Sequence, residues 1–305
     1  MRGAVHVAPE VADALAAGRP VVALESSVLA QGLPVPANGE ACDRMIQAIV
    51  RHGAVPAITA VVRGQPVVGL AGADLERFLR RDGITKVAAR DLAAAATLGM
   101  DGATTVSASL VLASRAGVRV FATGGIGGVH RNAPFDESAD LIELSRVPVI
   151  CVCAGAKAIL DLRATAERLE TLSVPVLGFG TDWFPEFYCV GASIPVGWRV
   201  DSADQVARLY ERHLALGMSS SVLVANPPPE GSRLARDVID AAVSAALEEL
   251  KAAGVEGKGV TPALLASVER ATGGESLKTN IALLESNADL AARIAVALAA
   301  AEKNR

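Results

Sequence analysis

The sequence predicts an α/β protein of three layers, α/β/α, around a mostly parallel central sheet. Three observations carry this. Residues 118–122, 147–154, 174–179 and 221–225 are short runs apolar on both faces, as expected of strands covered by helices on both sides. Such runs alternate with amphipathic stretches, the pattern of a layered α/β fold. The last third of the chain is helical in pattern throughout, over residues 231–253, 262–271 and 276–301.

Near the start, residues 21–24 read as a strand, and 38–53 as a helix with Asn38 at its N-cap, cations in its last turn and Gly53 just after it. Residues 57–62 and 66–70 flank Arg63-Gly64-Gln65 as a hairpin. No internal repeat, low-complexity tract or linker interrupts the pattern, so residues 1–305 are expected to form a single domain.

Composition narrows the function. The net charge is −4 with no Lys/Arg run of patch length, and aromatic residues make up 3%. A nucleic-acid footprint and base-stacking platforms are therefore not expected. Mean hydropathy is +0.37, yet no run approaches the ~18 apolar residues that a membrane span requires. The opening Met1-Arg-Gly-Ala-Val-His-Val carries no secretory signal. A soluble, cytoplasmic protein is expected. The four cysteines lack C-x-x-C or zinc spacing, and Cys151 and Cys153 fall on one side of an apolar strand as reduced core residues.

Ligands of such sheets bind beyond the carboxyl ends of the strands, and the polar chemistry gathers there. Lys157 follows the run 147–154 and precedes a helical-looking stretch from residue 158. A helix entrance favours anions, so this placement disfavours the ammonium form and favours a neutral, nucleophilic amine. A surface lysine snorkelling off a helix end is the alternative. Glu25, closing the first strand, is expected to be partly desolvated and to keep a proton for general acid catalysis; an N-cap or ion-pair role is its alternative.

Thr123-Gly-Gly-Ile-Gly-Gly-Val-His130-Arg131 offers backbone N–H groups to a phosphorylated ligand, or is a plain turn. It matches neither G-x-G-x-x-G nor a Walker motif. Lys86 is a second cation for phosphate, or a solvated side chain. Asp136 and Asp140 could share a helical turn and bind a hard divalent cation, or mark an acidic helix N-terminus.

Taken together, Ala23-Leu-Glu25-Ser-Ser-Val, Gly83-Ile-Thr-Lys86, Thr104-Thr-Val106-Ser-Ala-Ser, the loop 123–131, Asp136-x-Ser-Ala-Asp140-Leu, Cys153-Ala-Gly-Ala-Lys157, Thr272-Gly-Gly-x-Ser-Leu and Asn280-Ile-Ala-Leu-Leu-x-x-Asn287-Ala resemble the pseudouridine-5′-phosphate glycosidases. The resemblance spans about residues 5 to 300. It implies reversible cleavage of the C–C glycosidic bond of pseudouridine 5′-phosphate to uracil and ribose 5-phosphate. It also implies an α/β/α subunit, a divalent ion (usually Mn²⁺) and a homotrimer.

Matched motif by motif, the resemblance implies Lys157 as covalent nucleophile, Glu25 as proton donor and Asp136 as the metal aspartate. Lys86, Val106, Ser138, Ala139, Asp140, His130 and Asn280 fall on substrate-contacting positions. Glu137 departs from a usually apolar position and could add charge beside the metal aspartate. Ala88-Ala89 departs from a polar or basic pattern near Lys86.

The chemistry explains the residue types. Carbon C5 of uracil has no lone pair to protonate, so the paired carboxylates of ordinary glycosidases do not suffice. The resemblance points to a lysine adduct at C1′ of the ring-opened ribose, which lets the bond break through an iminium, with uracil protonated at C5. Two alternatives remain: a Schiff-base aldolase or lyase acting on another sugar phosphate, which keeps Lys157 but has no use for a uracil pocket, and a non-catalytic sugar-phosphate-binding regulator that retains the pocket.

Overall fold

The runs that are apolar on both faces form the middle of one large sheet. The computed structural model describes residues 5–131, 135–254 and 260–303. Residues 1–4, part of the stretch read as lacking a secretory signal, lie outside them. In chain order the strands are β1 (His6–Val7), β2 (Val21–Leu24), β3 (Val55–Val62), β4 (Gln65–Val68), β5 (Thr85–Val87), β6 (Gly102–Thr104), β7 (Val120–Ala122), β8 (Val129–His130), β9 (Ile150–Cys153), β10 (Leu160–Asp161), β11 (Val176–Phe179), β12 (Trp198–Val200) and β13 (Val222–Ala225). The helices are α1 (Pro9–Ala16), α2 (Ala37–Val50), α3 (Gly72–Arg80), α4 (Leu92–Thr97), α5 (Val106–Ala116), α6 (Ala139–Arg146), α7 (Leu162–Thr171), α8 (Ala203–Ala215), α9 (Arg236–Ala252), α10 (Val260–Ala271) and α11 (Glu275–Lys303).

The sheet runs β1-β4-β3-β2-β7-β9-β13-β11-β12. From β3 to β12 every neighbouring pair is parallel, and all residues of β2, β7, β9 and β13 are buried. Burial on both faces is why these strands show no polar alternation. Helix α11 packs on β2, β7 and β9, while α5 packs on β2, β3 and β7. One hydrophobic cluster runs through the layers.

The hairpin forms as expected: Val62 pairs with Gln65 across Arg63 and Gly64, both at positive φ (46° and 79°). That geometry suits a two-residue turn between twisted antiparallel strands.

Two topological details create the site. From β2 the chain moves outward to β3, and from β7 it moves the other way to β9. The carboxyl ends of β2 and β7 therefore flank a switch point, where a crevice opens. On the far side of β2, the first half of β3 pairs with β2 and its second half pairs antiparallel with β6. The ends of β2 and β6 thus meet head to head. Ser26 seals the junction, donating to Thr59 O at 2.7 Å and accepting from Thr104 N at 2.9 Å.

One cap differs from expectation. Helix α2 begins at Ala37 with Pro36 at the N-cap. Asn38 instead turns inward, and its Nδ2 donates to Leu29 O (2.9 Å) and Leu79 O (2.8 Å). Two buried carbonyls need a donor there, and the amide supplies both bonds.

Candidate active site

Beyond the carboxyl ends of β2, β5, β6, β7 and β9 lies a cavity of about 290 Å³. Of the ten residues singled out in the sequence, Glu25, Lys86, His130, Asp136, Ser138, Ala139, Asp140, Lys157 and Asn280 line it. Val106 does not: its side chain is 1% exposed and belongs to the core. As first residue of α5 it can offer the cavity only its backbone N–H.

Glu25 follows β2 directly and is 4% exposed. Thr123 Oγ1 donates to its Oε1 at 2.5 Å, and Ser27 Oγ donates to its Oε2 at 2.5 Å. Thr123 follows β7, so the first bond spans the switch point. Among the described residues neither the cap nor the ion-pair alternative for Glu25 appears.

Lys157 lies in a turn, not at a helix entrance. Residues 160–161 pair antiparallel with 129–130, so the chain stays extended and α7 starts only at Leu162. Asp161 caps that helix, its Oδ1 accepting from Ala164 N at 2.9 Å. The dipole argument for a neutral amine therefore does not apply to α7. Lys157 N–H donates to Ile126 O (3.1 Å) and its carbonyl accepts from Leu160 N (3.0 Å). Among the described residues the ammonium group itself has no ion pair or hydrogen bond, and the half-buried side chain faces the cavity.

Part of the glycine loop is engaged within the protein: Ile126 N–H donates to Gly155 O (3.1 Å), Gly127 to Asp140 Oδ2 (2.8 Å), Val129 to Thr165 Oγ1 (3.0 Å) and His130 to Asp136 O (3.0 Å). Gly124, Gly125 and Gly127 line the cavity, and of these three only the Gly127 N–H is among those bonds. The glycines also serve close packing. A Cβ at Gly127 would overlap Ser138 Oγ and lie 2.8 Å from Asp140 Oδ2.

Asp136 and Asp140 do not share a helical turn. Asp136 precedes α6, whose N-cap is Ser138. The buried Asp140 carboxylate accepts from Ser107 N (2.9 Å) as well as Gly127 N, bracing the start of α5 against the glycine loop. Asp136 is 59% exposed at the cavity rim, with Oδ2 4.0 Å from His130 Nδ1. Glu137 is paired with Arg168 Nε at 2.9 Å.

Among the described residues no group of three or more His, Cys, Asp or Glu side chains is arranged to hold a metal. A single exposed carboxylate fits a hard cation that keeps most of its waters, and does not fit a fully protein-ligated ion.

The four cysteines are buried and unpaired. In β9, leading toward Lys157, the hydrogen bond with Cys153 and then burial push the Cys151 thiol well above its ordinary range. It is no nucleophile. Sequence reasoning missed Gln31, Phe187 and Leu265 as lining residues, and no local pattern marks them. It noted Thr123 and Ser27 without their contact to Glu25.

A ligand cavity at the switch point of a doubly covered parallel sheet defines an α/β protein that holds a small molecule. The chain belongs to the indigoidine synthase A-like family: residues 10–297 match that family, described as "Indigoidine synthase A like protein". It is 57% identical over 288 residues to the pseudouridine-5′-phosphate glycosidase of Gemmatimonas aurantiaca, covering 94% of each chain. To that of Hahella chejuensis it is 48% identical over 299 residues, covering 97% of this chain and 98% of the other. Among solved structures, a prealnumycin C-glycosynthase in complex with ribulose 5-phosphate superimposes with a TM-score of 0.92 at 39% identity, over 100% of both chains. The resemblance read from the motifs is thereby borne out.

Proposed function

We propose that this chain is a pseudouridine-5′-phosphate glycosidase, reversibly cleaving the C1′–C5 bond to give uracil and ribose 5-phosphate. One observation carries the reading: Glu25 and Lys157 line one cavity at the switch point of the sheet. The names of its relatives support the substrate, and the C-glycosynthase neighbour supports chemistry at a C–C glycosidic bond.

In this reading Lys157 Nζ bonds to C1′ in place of O4′, whose bond to C1′ breaks to open the ribose and which takes the proton the nitrogen gives up. The nitrogen lone pair then forms the C=N bond as C1′–C5 breaks, and the bonding electrons leave on uracil C5. Glu25 delivers its proton to that carbon and becomes a carboxylate. Water hydrolyses the iminium, freeing ribose 5-phosphate and leaving an ammonium, whose extra proton returns to Glu25 and restores both the amine and the acid. In the reverse direction Glu25 removes the C5 proton. Lys86 and Arg90, both lining the cavity, supply positive charge for the 5′-phosphate.

Asp136 would hold Mn²⁺ together with waters. When bound, the ion supplies a fixed positive charge that orders the polar groups around the sugar phosphate. A homotrimeric assembly follows from the family resemblance. The cytoplasmic setting is supported by four unpaired cysteines and by the lack, among the described residues, of a helix long and apolar enough to cross a membrane.

The test is incubation with pseudouridine 5′-phosphate and Mn²⁺, following uracil release, then borohydride trapping and peptide mapping. Uracil release with the adduct on Lys157 is expected. No uracil would overturn the reading. An adduct formed with other sugar phosphates but not with this nucleotide would favour the aldolase alternative.

A further inference from the structure

Asn287 belongs to the block Asn280-Ile-Ala-Leu-Leu-x-x-Asn287-Ala, yet no step above uses it. It is 1% exposed on α11, and every polar atom of its amide is engaged. Its Oδ1 accepts from Asn226 Nδ2 at 2.9 Å, and its Nδ2 donates to Thr123 O at 2.8 Å and Gly124 O at 3.4 Å. Asn226 follows β13 and donates its backbone N–H to Cys153 O at 2.8 Å. A chain of buried polar groups thus runs from the ends of β9 and β13, through α11, to the end of β7. It finishes at Thr123, whose hydroxyl reaches Glu25.

We infer that Thr123 and Ser27 are positioning residues for the proton donor, and that Asn287 fixes Thr123 for this task. The inference rests on the glycosidase reading. Each Glu25 oxygen receives one hydroxyl bond, so the plane of the carboxyl is set and rotation about its terminal torsion is blocked. A hydroxyl both donates and accepts. The clamp therefore accommodates the protonated acid before transfer, and donates both hydrogens to the carboxylate left after C5 is protonated. Burying a carboxylate without such donors is costly, which is why these two hydroxyls stand where they do. Asn287 acts one step back. By holding the Thr123 and Gly124 carbonyls it fixes the backbone from which Oγ1 projects, and a misplacement of about 1 Å at a reacting group can lower a rate roughly a hundredfold.

The test compares wild type with Thr123→Val, Thr123→Ser and Ser27→Ala on pseudouridine 5′-phosphate, measuring kcat, KM, the solvent deuterium isotope effect and Tm. Thr123→Val should lower kcat at least about tenfold with KM within about twofold, and raise the isotope effect as proton transfer becomes rate-limiting. Thr123→Ser should restore most of kcat. Ser27→Ala, which removes only the second hydroxyl, should lower kcat in the same direction and covers the case in which Thr123→Val does not fold. Unchanged kcat and isotope effect in both Thr123→Val and Ser27→Ala would overturn the inference. So would a kcat loss in a folded Thr123→Val that Thr123→Ser does not relieve. Absence of uracil release by wild type would instead overturn the glycosidase reading itself.

Discussion

Glu25 and Lys157 reach one cavity from strands two places apart in the sheet, and they are held in opposite ways. Glu25 directly follows β2 and has both carboxyl oxygens bound by buried hydroxyls. Lys157 comes four residues after Cys153, the last residue of β9, in a turn held by its backbone N–H and carbonyl. Among the described residues nothing binds its amine. The difference fits the two tasks proposed for them. A proton donor acts at one fixed point, C5 of the base, and gains from being fixed. A nucleophile that stays attached to C1′ while the sugar opens, loses uracil and takes up water must follow that carbon, and a flexible lysine stem suits this.

The sharpest way to break the comparison is to remove the mobile partner. Lys157→Ala should lower turnover by about ten-thousand-fold or more, since the proposed adduct forms on its amine. Borohydride trapping of the variant should yield no modified peptide, and its far-UV circular dichroism should match wild type. A trapped adduct elsewhere in the chain would remove Lys157 from the mechanism.

Removing the fixed partner should do less. Glu25→Gln keeps the shape and can still hydrogen-bond both hydroxyls, but it cannot transfer a proton. A kcat loss of roughly a hundred- to ten-thousand-fold is expected, with adduct formation at Lys157 retained. An adduct on Lys157 detected by intact-protein mass spectrometry without uracil release would separate the two roles cleanly, because the amine adduct that precedes C–C cleavage has no C=N bond for borohydride to reduce. Loss of that adduct as well would mean that Glu25 also serves the ring-opening step.

How much of this was legible in the sequence depends on the range of the interaction. The central strands were readable because burial on both faces leaves an uninterrupted apolar run. The hairpin was readable because Arg63-Gly64 meets the turn's backbone demands locally. Strands β5, β6 and β12 were not: each has three residues, and a neighbouring strand decides the pairing. The stretch after Lys157 looked helical because its composition is helical. Pairing of Leu160 and Asp161 with Val129 and His130 overrode that propensity. Most site residues were found through motif resemblance. The clamp on Glu25 could not be found locally, because Thr123 lies 98 positions away and meets it only when β2 and β7 become neighbours.

The rigid side of the cavity can also be tested apart from chemistry. Gly127 sits where Ser138 and Asp140 close in, and a methyl group there would press on both. The expected loss for Gly127→Ala is about 1–3 kcal/mol of unfolding free energy, the range for overpacking a filled site, measured by urea denaturation. A stability equal to wild type would show that the glycine loop yields, and that rigidity on this side rests on hydroxyl clamps alone.

The smallest effect is expected at the rim. Glu137 stands beside Asp136, where a free carboxylate would strengthen the pull on a divalent cation. Its charge is already matched by Arg168, with the two side chains 32% and 35% exposed. Such a half-exposed pair contributes about 0–1 kcal/mol, and its outward field is nearly cancelled. Replacing both partners, Glu137→Gln with Arg168→Gln, should therefore change unfolding free energy by no more than about 1 kcal/mol, and leave the Mn²⁺ concentration for half-maximal activity within about twofold. A larger rise in that midpoint would mean that Glu137 leaves Arg168 when the ion binds, placing a second movable group in the site and weakening the contrast between one fixed and one mobile partner.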